Sequence, residues 1–200
     1  MLIGLASLKP QTGKSTIAQF LKKKYGFIHT EMSDAISLLA DKYFGYNSDE
    51  KSDSKQRMIL QELGIMGKRI DPTMWLYHAI GLARRKKWGL AVDTLISPSF
   101  LFYYHLNPIK EEIHEKGIDS FMEGAHVVVG GIRSPGEADE ILKIGGHVYL
   151  ISRDEELNLK NQHKVETELS GYKYFTDIID NNGTIEELYA LFEKILNLEG

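Results

Sequence analysis

The octet Lys9-Pro10-Gln11-Thr12-Gly13-Lys14-Ser15-Thr16 constrains this chain more than any other feature. It follows a short apolar run, Leu2 to Ala6. It precedes a stretch in which Ile17, Ala18, Phe20 and Leu21 share one face, Lys22 to Lys24 gather at the end, and Gly26 comes last. That order predicts strand, loop and helix, with the lysines at the negative end of the helix dipole and glycine as its stop. A loop so placed binds phosphate, because backbone N–H groups line a concavity at the head of a helix. Gly13 lets the backbone come close to the phosphates, with Thr12 before it and Thr16 at the helix start. Lys14 reaches the β- and γ-phosphates of ATP, and Ser15 turns its hydroxyl to Mg²⁺. The pattern G-x-x-x-x-G-K-[ST] asks for glycine at position 8, where this chain has Leu8.

Downstream, strands and helices alternate. The chain reads as one α/β domain, 1–200, a three-layer α/β/α P-loop fold with about five mostly parallel strands. Phe27 to Thr30 is a second strand, and Asp34 to Phe44 a helix with Ile36, Leu38, Leu39 and Tyr43 inward. Asn47 to Lys55 is a polar loop, followed by a helix from Lys55 to Arg69. His126 to Gly131 is a buried strand. Ser134-Pro135-Gly136-Glu137 then opens a helix with a capping box and proline at the first helical position. His147 to Ile151 and, more weakly, Asp177 to Asp180 are further strands. Thr184 to Glu187 is a second capping box, leading into an amphipathic helix with Leu188, Leu191, Phe192, Ile195 and Leu196 inward. Tyr77 to Gly124 reads as mostly helical and is the least legible stretch.

Composition excludes several classes. The chain has 200 residues, 42% hydrophobic and 26% charged, as in ordinary globular domains. No apolar run is long enough for a membrane span, and the apolar start lacks the basic residues of a secretory signal. Cysteine is absent, which removes disulfides, thiolate metal sites and a cysteine nucleophile, and fits a cytoplasmic protein. A net charge of −4 argues against specific nucleic-acid binding. The run Arg84-Arg85-Lys86-Lys87 reads as a solvated helix face. A homodimer is left open.

Five stretches, in this order, resemble the deoxynucleoside monophosphate kinases of phages, within the P-loop nucleoside monophosphate kinase superfamily. They are Ile3 to Ala6 leading into Gly13-Lys14-Ser15-Thr16; Ser33-Asp34; Arg57 to Gly64 with Trp75 beyond; Val127 to Arg133 with Glu137-Ala138 and Gly145-Gly146; and His163 to Leu169 with Asp177 and Asn181 to Thr184. The resemblance implies transfer of the γ-phosphoryl group of ATP to a (deoxy)nucleoside monophosphate, with Mg²⁺. It makes 46–124 a helical acceptor-binding insertion and 153–170 a lid.

Such a transfer needs positioning and charge neutralisation. Lys14 serves the donor phosphates. Arg133, just past the third strand, has the place of the arginine that grips the acceptor's phosphate. Arg57 and Gln61, one turn apart, pair with phosphate and base respectively. Arg69, Trp75 and Asp34 are further candidate acceptor contacts. Arg153 heads the lid, whose Lys160, His163 and Lys164 add charge. An acidic residue often ends the third strand in such kinases. Here that place falls on Gly130 or Gly131, with Asp34 as a substitute and Asp93 as a mimic inside the illegible stretch. Two other readings stay open. One is a different small-molecule kinase, such as a dephospho-coenzyme A kinase-like enzyme. The other rests on Lys9, four residues before Gly13, which resembles the early lysine of the ParA/MinD group of partition and division-site ATPases.

Overall fold

The computed structural model describes residues 1–47, 49, 53–90, 106–153 and 168–197. Their strands are β1 (Leu2–Ala6), β2 (Ile28–Glu31), β3 (Val127–Ile132), β4 (His147–Ser152) and β5 (Asp177–Asp180). They form one sheet in the order β2-β3-β1-β4-β5, and every neighbouring pair is parallel. Parallel neighbours need crossovers, and helices supply them. The described helices are α1 (Lys14–Tyr25), α2 (Met32–Phe44), α3 (Ser54–Ile70), α4 (Met74–Trp88), α5 (Leu106–Lys116), α6 (Ile118–Phe121), α7 (Pro135–Lys143) and α8 (Ile185–Ile195).

Alternation along the strands divides the core in two. Leu2, Val127, Val129, Val148 and Leu150 face one way, into a core shared with α2, α4 and α7. Ile3, Leu5, Val128, Tyr149 and Ile151 face the other, against α1 and α8. Strands buried on both faces read as continuous apolar runs, which is why Val127-Val128-Val129 was legible. The result is a three-layer α/β/α P-loop fold.

Two boundaries shift with consequences. β2 runs to Glu31, one residue beyond the expected end, and α2 starts at Met32 rather than Asp34. Asp34 is the third residue of that helix, where it forms a capping box with Glu31: the Glu31 N–H donates to Asp34 Oδ2 at 3.2 Å. The buried face of α2 is Met32, Ala35, Leu39 and Ala40. Tyr43, expected inward, is exposed; Gly45 turns the chain back through a left-handed cap, and Tyr46 is buried in its stead.

The stretch 77–124 contains most of α4, then α5 and α6; residues 91–105, with Asp93 among them, lie outside the described residues. α4 is buried along Met74 to Ala83. Its basic end is not a solvated face. Arg84 pairs with Glu112 at 3.0 Å and covers the Phe121 ring, Lys86 lies 3.3 Å from Asp34, and Lys87 reaches the Met122 carbonyl. These contacts tie α4 to α2, α5 and the turn after α6, and place cations at a helix C-terminus where the dipole favours them. No described helix is long and apolar enough to cross a membrane.

Candidate active site

β1 delivers the chain to the C-terminal edge of the sheet, and α1 carries it away beneath the α8 face. The turn between them is built by its backbone angles. Gln11 has φ 59° and Gly13 φ 98°, both left-handed. Alternation of this kind bends successive N–H groups toward one concavity, at the head of a helix with no acidic residue in its first turn. The Ser7 hydroxyl donates to the Lys9 carbonyl at 2.7 Å, and the Lys14 ammonium donates back to Ser7 Oγ. Lys14 is thus folded over its own loop. Lys9 is half-buried and engaged.

A residue from the far end of the chain braces this loop. Asn181, directly after β5, is buried; its backbone N–H donates to the Ser152 carbonyl and its side-chain amide to the Thr12 carbonyl, both at 2.8 Å. A Cβ on Gly13 would lie 2.4 Å from that amide nitrogen. Glycine is therefore required twice, for its φ and for the close approach of Asn181.

The loop opens into a cleft of about 360 Å³. Thr12, Gly13, Lys14, Ser15 and Thr16 form one wall, together with Gln11; Arg153 enters beside them from the end of β4; Asn181, Gly183, Ile185 and Leu188 form the other side. Among the described residues the lining holds two cations and no carboxylate, with an apolar corner at Ile185 and Leu188. Such a site suits a polyanion with a planar or apolar group attached. Thr12 Oγ1 is buried without a hydrogen-bond partner among the described residues, an orphaned hydroxyl beside the phosphate nest. The sequence reading named Thr12 to Thr16 and Arg153, and the structure brings these together. It missed Asn181, Gly183, Ile185 and Leu188 as lining residues.

The remaining candidates lie elsewhere. Arg133 follows β3 directly and is exposed. Its backbone N–H, with that of Ser134, donates to Glu137 Oε2 at 2.9 and 3.0 Å. The buried Glu137 also lies 3.1 Å from the Lys68 ammonium, so the end of α3 is moored to the turn that carries Arg133. Pro72 approaches Gly136 at the same junction. Arg69, adjacent to Lys68, is exposed, as are Arg57 and Gln61 further up α3. Among the described residues, Arg57, Arg69, Arg133 and Arg153 make no ion pair, unlike Arg84. Trp75, a candidate acceptor contact in the sequence, is instead core: it is 2% exposed, and its indole donates to the Gly64 carbonyl at 3.0 Å. Asp34 is occupied by its cap and by Lys86. Lys160, His163 and Lys164 lie outside the described residues.

One carboxylate was not anticipated. Glu31, at the end of β2, lies over the Gly130-Gly131 pair that precedes the last residue of β3: a Cβ on Gly130 would meet both Glu31 oxygens at 2.4 Å. His29 Nε2 is 2.9 Å from Glu31 Oε1. Among the described residues no group of three or more His, Cys, Asp or Glu could hold a metal by itself. The hydroxyl of Ser15 and this carboxylate are hard oxygen donors, the chemistry that suits Mg²⁺ bound chiefly through phosphates and water.

No family model matches the chain. Over 195 residues it is 27% identical to a protein of Acanthamoeba polyphaga mimivirus named "Putative deoxynucleotide monophosphate kinase", covering 95% of this chain and 93% of the relative. Among solved structures, shikimate kinase from Aquifex aeolicus aligns over the whole of both chains with 15% identity and a TM-score of 0.44. Dephospho-CoA kinase from Campylobacter jejuni aligns over 98% of this chain and 96% of its own, with 14% identity and a TM-score of 0.44. Along nearly its full length, the chain resembles a protein that bears the name "Putative deoxynucleotide monophosphate kinase".

Proposed function

We propose that this chain is a kinase that transfers the γ-phosphoryl group of ATP to a nucleoside monophosphate, of the deoxy series, to give the diphosphate. The observation that carries the reading is the cleft itself. A left-handed phosphate nest, a helix head free of acid, Lys14 and Arg153 converge on one space with an apolar corner. The resemblance to the mimivirus protein supports this choice of acceptor class.

In this reading the nest and Lys14 hold the β- and γ-phosphates, and the base rests against the Ile185–Leu188 corner. The acceptor brings its own dianion, which calls for guanidinium groups not already neutralised. Arg133 meets that need best, because its turn is fixed by Glu137 while its side chain is left exposed. Arg57 and Arg69 on α3 bind the acceptor with it, and Gln61 faces the base, which makes residues 46–124 the acceptor side. Arg153 draws charge off the transferring group as it passes. Ser15 would hold Mg²⁺, which would supply positive charge against the transferring phosphates.

The test is product identification with ATP, Mg²⁺ and a panel of ribo- and deoxynucleoside monophosphates. A diphosphate should form from at least one deoxynucleotide, with stoichiometric ADP. Lys14→Ala should lower turnover at least 100-fold by removing a charge from the transition state. If no monophosphate is phosphorylated, and ATP alone drives a dimer that Lys9→Ala abolishes, the kinase reading is wrong and a ParA/MinD-like switch replaces it.

A further inference from the structure

β3 carries two glycines just before its last residue, Ile132, and no carboxylate. Pairing in the sheet explains how the place is filled. Glu31 of β2 stands opposite Gly130 of β3, which stands opposite Leu5 of β1. Leu5 and Val128 belong to the core beneath α1 and α8, so this row faces α1, the helix that carries Ser15. α1 packs across both β3 and β2 on that face. The Glu31 carboxylate fills the volume in which a side chain on Gly130 would begin, and its Oε2 lies 3.3 Å from where a Cβ on Gly131 would stand. Gly131, at φ 78°, is the extra residue of a bulge that separates the Leu5–Gly130 and Ala6–Ile132 pairs. Gly130 is thus explained as room for a carboxylate from the neighbouring strand, and Gly131 by its left-handed φ at the bulge. The group is anchored by His29 and, in the α2 capping box, by the Asp34 N–H that it accepts, yet its side chain is 30% exposed, so it can carry water.

We propose that Glu31 supplies from β2 the acidic group that β3 lacks, and that it orders the hydrated Mg²⁺ beside Ser15. This rests on the kinase reading above. A half-exposed carboxylate adjacent to a hard cation acts through that cation's water rather than by displacing phosphate oxygens. Its contribution therefore belongs to the metal-dependent part of nucleotide affinity alone.

Calorimetric titration of ATP, in Mg²⁺ and in EDTA, separates that part. The wild-type protein should bind ATP more tightly with Mg²⁺. Glu31→Gln keeps the size of the side chain and an oxygen that can meet His29. It should lose at least fivefold of the metal-dependent gain, while its affinity in EDTA stays within twofold of wild type. Full retention of the gain, or an equal loss with and without metal, would overturn the assignment. If Glu31→Gln does not fold, the double variant Glu31→Ala/Gly130→Asp moves a carboxylate into the same volume. The gain kept there supports the proposal, and the gain lost overturns it. A wild-type protein that binds ATP no better with Mg²⁺ would instead bring down the donor-site reading itself.

Discussion

Gly13 is the residue on which loop geometry and loop chemistry both turn. Its φ of 98° belongs to glycine, and the amide of Asn181 occupies the side where a Cβ would project. Gly13→Ala should therefore strain the backbone and push Asn181 off the Thr12 carbonyl. The expected cost is about 1–3 kcal/mol of stability, with a tenfold or larger loss of ATP affinity, measured by urea unfolding and calorimetry. An alanine variant that binds ATP like wild type would show that the nest does not hold the phosphates. Arg133 offers a separate test. Removing a charge-assisted fork should cost on the order of 2–4 kcal/mol in kcat/KM for the monophosphate, with ATP affinity unchanged. Unaltered acceptor kinetics in Arg133→Ala would exclude it from the acceptor site. Lys14 and Ser15 were legible as residues of the cleft because they belong to a local pattern, a loop before a helix. Asn181 was not, because its partner lies 169 residues away in sequence and only the closed sheet brings them together.

At the scale of elements, the Trp75 side chain joins α3 to α4. The Trp75 indole lies where a Cβ on Gly67 would come within 2.4 Å of it, and donates to the Gly64 carbonyl one turn earlier. Gly67 of α3, at some cost in helix propensity, leaves room for a tryptophan of α4, whose indole N–H the Gly64 carbonyl accepts. Trp75→Ala should lose about 3–5 kcal/mol, the usual range for emptying a buried aromatic site. Trp75→Phe should lose less and leave the monophosphate KM unchanged. A raised KM with unaltered melting would restore Trp75 as an acceptor contact. The helix starts were the best-read features of the chain, since Ser134 with Glu137 and Thr184 with Glu187 are short-range capping boxes. The end of β2 was read one residue short, and that slip mattered. Position in a strand decides which face a side chain takes. With β2 ending at Thr30, Glu31 is a loop residue; with β2 ending at Glu31, it pairs with Gly130 and faces α1. The basic end of α4 was misread for a related reason. Its partners Glu112, Asp34 and Met122 come from three other elements, and charge in a sequence carries no record of them.

For the molecule as a whole, the core beneath α4 ties stability to pH. His78 lies in that core, 6% exposed, against the Trp75 ring, and burial pushes its imidazole down from the ordinary 6.5 to about 4. Burial also lowers His126, with the N-terminal ammonium acting in the same direction. A histidine whose folded pKa is depressed stays neutral in the native state while the unfolded chain takes up a proton. Unfolding then binds protons between the folded and unfolded values, so stability falls as pH drops through that window. For His78 the window runs from about 6.5 to about 4, and the loss between pH 7 and pH 4.5 should be about 2–3 kcal/mol. Below it a second loss begins. Burial alone would raise the Asp71 carboxyl, but hydrogen bonds from Thr73 and Lys110 outweigh it and hold the group below the usual 3.8. That stabilisation is present above the unfolded value and disappears as pH falls through the folded one. His78→Phe fills a similar space beside Trp75 without a titrating group. Urea midpoints at pH 7 and 4.5 should lie closer together in the variant than in wild type, with the steeper decline below pH 4 kept by both. Parallel losses between pH 7 and 4.5 would mean that His78 is not the group that makes this core sensitive to acid.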